Sequence, residues 1–215
     1  MRGLYLVTPN WDDTDRLLDV TGQALQEGVA LLQYRHKSAD DTLRREQAGA
    51  LLALARKYGV PFIVNDFLAL CEEIDADGVH VGGTDISVLE ARARLGRDKL
   101  VGASCYGDLA LARKAQEEGA SYVAFGGFYP SLVKQYPVTT DPDIVVLAKR
   151  EIGLPCVVIG GMTPENAAPL VARGAGMVAA ISSVYLADDV IIAVQKFNQL
   201  FAQPGTDASE SGCGE

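Results

Sequence analysis

Apolar runs of three to five residues recur eight times along the chain, at 4–7, 31–34, 62–64, 79–81, 100–103, 122–125, 156–159 and 177–181. They are apolar almost throughout, the pattern of strands covered on both faces rather than of strands with one wet face. Between them, segments such as 14–27, 40–58, 87–95, 109–118 and 163–173 carry apolar residues three and four apart, which predicts amphipathic helices. Thr163, Pro164 and Glu165 give an N-cap, a first-turn proline and an acid in the order that a helix start favours. A weak repeat marks the opposite ends. Glu27-Gly28-Val29, Glu118-Gly119-Ala120 and Arg173-Gly174-Ala175 each close a helix on glycine, which suits a left-handed C-cap, and then enter a strand.

Strands alternating with helices predict a parallel sheet, and eight such units predict a single (β/α)8 TIM barrel over residues 1–202. A doubly wound open sheet is the alternative topology. Residues 203–215 are rich in Gly, Ser and acids without periodicity and predict a disordered tail.

At 215 residues and 48% hydrophobic, the chain suits one domain with one large core. Its net charge of -9, from 28 acids against 19 Lys and Arg, argues against nucleic-acid or anionic-membrane partners. An anionic ligand would have to be met by local cations or a metal. Cys71, Cys105, Cys156 and Cys213 show no metal-site spacing, and three lie in or beside apolar stretches, which predicts reduced, buried thiols. The N-terminus enters a strand without an export signature, and no apolar run approaches the ~20 residues of a membrane span. These features lead us to expect a cytoplasmic protein; a homo-oligomer is compatible with them.

Barrel enzymes place their chemistry at the carboxyl ends of the strands. The second run ends in Gln33-Tyr34-Arg35-His36-Lys37, where alternation puts Gln33, Arg35 and Lys37 on one side as a cationic grip for a phosphate or, equally, as a solvated strand end. The third ends in Asn65-Asp66, and Asp85 follows the fourth. Two carboxylates there could share magnesium, whereas Asp85 could also simply cap the next helix. The fifth ends in Ser104-Cys105-Tyr106. The long segment 126–140 after the sixth carries one cation, Lys134, and its length favours a functional loop. Gly160-Gly161 after the seventh run and Ser182-Ser183 after the eighth fall where this fold commonly cradles phosphate. His80, Tyr5 and Thr8 read either as core or as facing the barrel mouth.

The motifs QYRHK (33–37), ND (65–66), DGVHVG (77–82), GASCY (102–106), GGFYPS (126–131), VIGGMT (158–163) and AISSVY (180–185), in this order, resemble the thiamine-phosphate synthases. The resemblance runs from about residue 3 to 201. It implies a TIM barrel that couples hydroxymethylpyrimidine diphosphate to hydroxyethylthiazole phosphate with release of diphosphate, using Mg2+. By that resemblance Gln33, Arg35, Lys37, Asn65, Ser104 and Lys134 contact the pyrimidine diphosphate, with Tyr34 and His36 in the same binding motif. Asp66 and Asp85 bind the metal. Ser131, Leu132, Val133, Gly161, Ile181 and Ser182 hold the thiazole phosphate. The catalytic share falls to Arg35, Lys37, Ser104 and Lys134.

The chain departs from the family pattern at Gly83-Thr84, where members commonly carry Gln-Glu before the metal aspartate, and at Val133, where a threonine hydroxyl is common. The family's chemistry implies a dissociative reaction without a protein nucleophile, consistent with a sequence that lacks a recognisable Ser/His/Asp or Cys/His arrangement. Two rivals remain: a thiazole tautomerase on the same barrel, and a non-catalytic sensor of a phosphorylated ligand.

Overall fold

In a computed structural model, which describes residues 1–82, 86–130 and 140–202, eight parallel strands close into a barrel in sequence order. They are β1 (Gly3–Val7), β2 (Leu31–Tyr34), β3 (Phe62–Asn65), β4 (Gly78–Val81), β5 (Leu100–Tyr106), β6 (Tyr122–Gly126), β7 (Cys156–Ile159) and β8 (Met177–Ala180). The ring is sealed by β1 against β8, with Gly3 beside Met177 and Leu6 beside Ala180. Helices return the chain between strands: α1 (Thr14–Gln26), α2 (Asp41–Tyr58), α3 (Leu68–Glu73), α4 (Val88–Leu95), α5 (Leu109–Glu117), α6 (Ile144–Glu151) and α7 (Pro164–Ala172). The short α8 (Ser182–Tyr185) and the terminal α9 (Val190–Ala202) follow β8.

The continuous apolar runs are explained by two cores. Leu4, Leu6, Leu32, Val64, Val79 and Val158 point outward into the layer beneath the helices. Their strand neighbours Tyr5, Val7, Leu31, Ile63, Tyr122, Val157 and Met177 fill the barrel. Period-two alternation therefore sorts apolar from apolar, and no strand face is left wet.

Helix ends follow the local chemistry. Asp13, Asp40, Ser87 and Thr163 cap α1, α2, α4 and α7 by accepting main-chain N–H groups. Gly59 closes α2 in the left-handed conformation. Among the described residues no helix is long and apolar enough to cross a membrane. The expected tail at 203–215 lies outside the described residues.

Candidate active site

The carboxyl ends of the strands open onto a cavity of about 680 Å3, the size of a small-molecule site. One wall comes from β2 and β3. Gln33 and Arg35 line the cavity, while Tyr34 and His36 point the other way. The Tyr34 hydroxyl donates to Gln47 Oε1 at 3.1 Å, His36 Nδ1 lies 3.2 Å from the same oxygen, and both side chains are buried against α2. Strand alternation thus removes Tyr34 and His36 from the cavity lining, contrary to the expectation of direct ligand contact.

The grip is pinned to the exit of β1. Thr8 Oγ1 accepts from Arg35 N at 2.8 Å, and Asn10 Oδ1 faces both Arg35 Nη1 (3.5 Å) and Lys37 N (3.4 Å). Sequence reasoning did not single out Asn10, because a polar residue just past a strand carries no periodic signal.

Asn65 lines the cavity, and Asp66 follows it at the rim, where it borders a neighbouring hollow between α2 and α4. Asp66 has φ +63, a left-handed conformation that Asp and Asn tolerate better than other side-chain-bearing residues. The turn is tied by Asp66 N to His80 O (2.9 Å) and Phe67 N to Asn65 O (2.8 Å). The Asp66 Oδ2 atom meets Asn65 Nδ2 at 2.6 Å and Lys37 Nζ at 3.2 Å. Lys37 is therefore at the rim with its ammonium on the aspartate rather than inside the cavity.

Magnesium takes oxygen donors and commonly keeps several waters, binding through one or two carboxylates plus substrate phosphates. A single rim carboxylate held by an amide and a lysine fits that demand. Among the described residues there is no cluster of three or more His, Cys, Asp or Glu that would cage a metal by itself. Asp85, the second expected ligand, lies outside the described residues, as do Lys134, Ser131, Leu132, Val133 and the departure at Gly83-Thr84.

The opposite wall comes from the ends of β6, β7 and β8. Gly126, Gly127, Gly160, Gly161, Ile181, Ser182 and Ser183 line it. Gly161 has φ +61, and a Cβ there would collide with the Pro130 carbonyl, so glycine is required on both counts. Asn166 fixes this turn: its Nδ2 donates to Gly161 O at 2.8 Å, and its Oδ1 accepts from Thr163 N at 2.8 Å. Ser183 Oγ is buried without a hydrogen-bond partner among the described residues. A small, hydroxyl-lined turn of this kind suits an anion.

The floor is polar. Gln33 Nε2 donates to Tyr5 OH (2.5 Å), Tyr5 OH meets Tyr122 OH (2.7 Å), Tyr122 OH meets His80 Nδ1 (3.2 Å), and His80 Nε2 meets Ser104 Oγ (2.9 Å). His80 and Tyr5 are thus both core residues and part of the cavity lining. Burial pushes the Tyr5 and Tyr122 hydroxyls well above the ordinary phenol range, partly offset at Tyr5 by its hydrogen bonds to Tyr122 and Gln33. Tyr122 was unmarked in the sequence, where it reads as one more aromatic in an apolar strand.

A closed barrel with Arg35 on one wall of its carboxyl-end cavity, the Lys37–Asp66 pair at the rim beside it, and glycine turns with serines on the other wall defines a (β/α)8-barrel enzyme for small phosphorylated ligands. Residues 4–184 match the thiamine monophosphate synthase family. The chain is 64% identical to the thiamine-phosphate synthase of Janthinobacterium sp. (strain Marseille), across 94% of this chain and 98% of that protein. It is 50% identical to the thiamine-phosphate synthase of Thiobacillus denitrificans (strain ATCC 25259 / T1), across 93% and 95%. The solved thiamine phosphate pyrophosphorylase from Pyrococcus furiosus superposes with a TM-score of 0.80 at 27% identity, covering 92% of this chain and 94% of that one. The chain belongs to the thiamine monophosphate synthase family and is a transferase that forms thiamine phosphate.

Proposed function

We propose that the chain couples hydroxymethylpyrimidine diphosphate to hydroxyethylthiazole phosphate by a dissociative route in which diphosphate leaves before the new bond forms. One observation carries this reading: Gln33, Arg35 and Asn65, with the Lys37–Asp66 pair at the rim beside them, face Gly161 and Ser182 across a single cavity. Two anions can then be held with their reacting ends between them.

In this reading Arg35, Lys37 and Lys134 gather the diphosphate and Ser104, Gln33 and Asn65 orient the pyrimidine. Breaking the bond from the methylene carbon to the diphosphate oxygen leaves the electron pair on the diphosphate and a resonance-stabilised pyrimidine methylene cation. Negative charge grows on the leaving group, so the cationic side chains stabilise the transition state more than the ground state. Asp66 and Asp85 hold Mg2+, which when bound supplies further positive charge to the departing diphosphate. Ser131, Leu132, Val133, Gly161, Ile181 and Ser182 hold the thiazole phosphate, so that its ring nitrogen captures the cation; Ser183 adds a hydroxyl to that cradle. No base is required, and positioning of the two substrates supplies the remaining advantage.

The test is to incubate the purified chain with both substrates and Mg2+ and to follow diphosphate and thiamine phosphate together. Equal release of the two supports the reading. Isomerised thiazole phosphate without diphosphate release would identify a tautomerase, and ligand binding without turnover a sensor.

A further inference from the structure

We infer that Tyr122 is a positioning residue: acting through Tyr5 and His80, it sets a one-way hydrogen-bond chain beneath the cavity that leaves Gln33 offering an acceptor, and Ser104 a donor, to the ligand. The direction follows from counting protons. Gln33 Nε2 donates to the Tyr5 oxygen, so the Tyr5 proton must go elsewhere, and among the described residues its other neighbour is the Tyr122 hydroxyl, 2.7 Å away. Tyr122 then spends its own proton on His80 Nδ1. A neutral imidazole that accepts at Nδ1 carries its proton on Nε2 and donates it to Ser104 Oγ. The Ser104 proton is left for the cavity, and so is Gln33 Oε1. With Gln33 Nε2 facing Tyr5, the reverse direction would strand the proton of Tyr5, which is 1% exposed.

The geometry is built around this hydroxyl. Tyr122 is 0% exposed, its ring is stacked on His80 (20° between planes) and edge-on to Tyr5 (85°). Gly102 of β5 leaves the space: a Cβ there would collide with the Tyr122 ring and hydroxyl. A phenylalanine would fill the apolar volume equally well, so the packing alone does not account for the hydroxyl.

The chain contains two histidines, so long-range 1H–15N spectra of the full-length protein resolve the question, with His36→Gln assigning the pair. In the unsubstituted protein at pH 8, His80 should show the Nε2–H tautomer; an Nδ1–H tautomer would reverse the chain and overturn the inference. In Tyr122→Phe the His80 signals should move to a tautomer mixture; an unchanged spectrum would also overturn it. The ligand half rests on the proposed function and uses calorimetric binding of the pyrimidine diphosphate alone. Tyr122→Phe and Ser104→Ala should each weaken binding by about tenfold, and the double variant by little more, since both remove one coupled interaction. Wild-type affinity in Tyr122→Phe would sink the positioning role. Failure of the unsubstituted protein to bind would sink the proposed function instead, while its tautomer would still report on the chain.

Discussion

Asp66 carries two demands at one position, a carboxylate at the rim and a backbone at φ +63, and substitutions can separate them. Asparagine keeps the side-chain size and tolerates the left-handed region, so Asp66→Asn should remove the charge with little effect on folding. The pair it breaks, with half-exposed Lys37, contributes no more than about 1 kcal/mol to stability. Turnover should fall about a hundredfold or more, as when one preorganised electrostatic group worth ~3 kcal/mol is lost. Asp66→Ala should show the same loss plus about 1 kcal/mol of destabilisation, because alanine lacks the short polar side chain that eases the left-handed conformation. Steady-state kinetics beside urea unfolding would check both, and normal turnover by Asp66→Asn would remove Asp66 from the chemistry. Gly161→Ala meets a strained φ and the Pro130 carbonyl and should raise the KM for thiazole phosphate at least tenfold, with a smaller change in the KM for the pyrimidine diphosphate. At this scale alternation made the inward course of Gln33 and Arg35 legible and equally implied the outward course of Tyr34 and His36. Tyr122 was not legible, because the partner that reveals its hydroxyl's role is Tyr5, 117 residues away.

The turn from β7 into α7 shows how an element aims a site. Thr163 and Asn166 form a reciprocal capping box, and Asn166 also holds Gly161 O. Asn166→Ala should therefore loosen the helix start and the cradle together: about 1 kcal/mol of stability lost, and a raised KM for thiazole phosphate with kcat less affected. Urea unfolding beside KM measurements would test this, and stability loss without a KM change would confine Asn166 to capping. The start of α7 was readable from Thr163-Pro164, since N-cap chemistry is local. The reach of Asn166 back to Gly161 was not, because it depends on the fold of the turn. The eight strands and the helices α1, α2, α4 and α5 were readable for the same local reason, whereas α9 (Val190–Ala202) was not singled out. The α3 helix, at six residues, and α8, at four, are too short to display a 3.6-residue period. The walls of the site were legible as strand ends because the barrel brings all such ends to one mouth; the floor was legible in part, with Gln33 and Ser104 picked out and Tyr5 and His80 left open between core and mouth, whereas Tyr122 lies in a run that reads as apolar core.

Across the whole molecule, the core layer beneath the helices buries ionisable groups that carry no catalytic duty. Cys71, Cys105 and Cys156 are free and buried, and burial raises each thiol from 9.0 to about 12. Their protonated forms are kept in the folded protein, whereas the unfolded chain ionises them from about pH 9 upward. Unfolding then releases protons, so the stability these thiols contribute is fully present below pH 9 and is lost as the pH rises toward 12. Each thiol contributes a slope of about 1.4 kcal/mol per pH unit in that window. Between pH 8 and pH 10 the three together should lower the unfolding free energy by roughly 4 kcal/mol, a large share of the ~5–15 kcal/mol typical of a domain. Urea unfolding under reducing conditions at the two pH values would measure the drop. Cys156→Ala should remove about a third of it, at the cost of a small cavity that lowers stability equally at both pH values. A flat profile between pH 8 and 10, or an unchanged one in Cys156→Ala, would show that the thiols reach water in the folded chain.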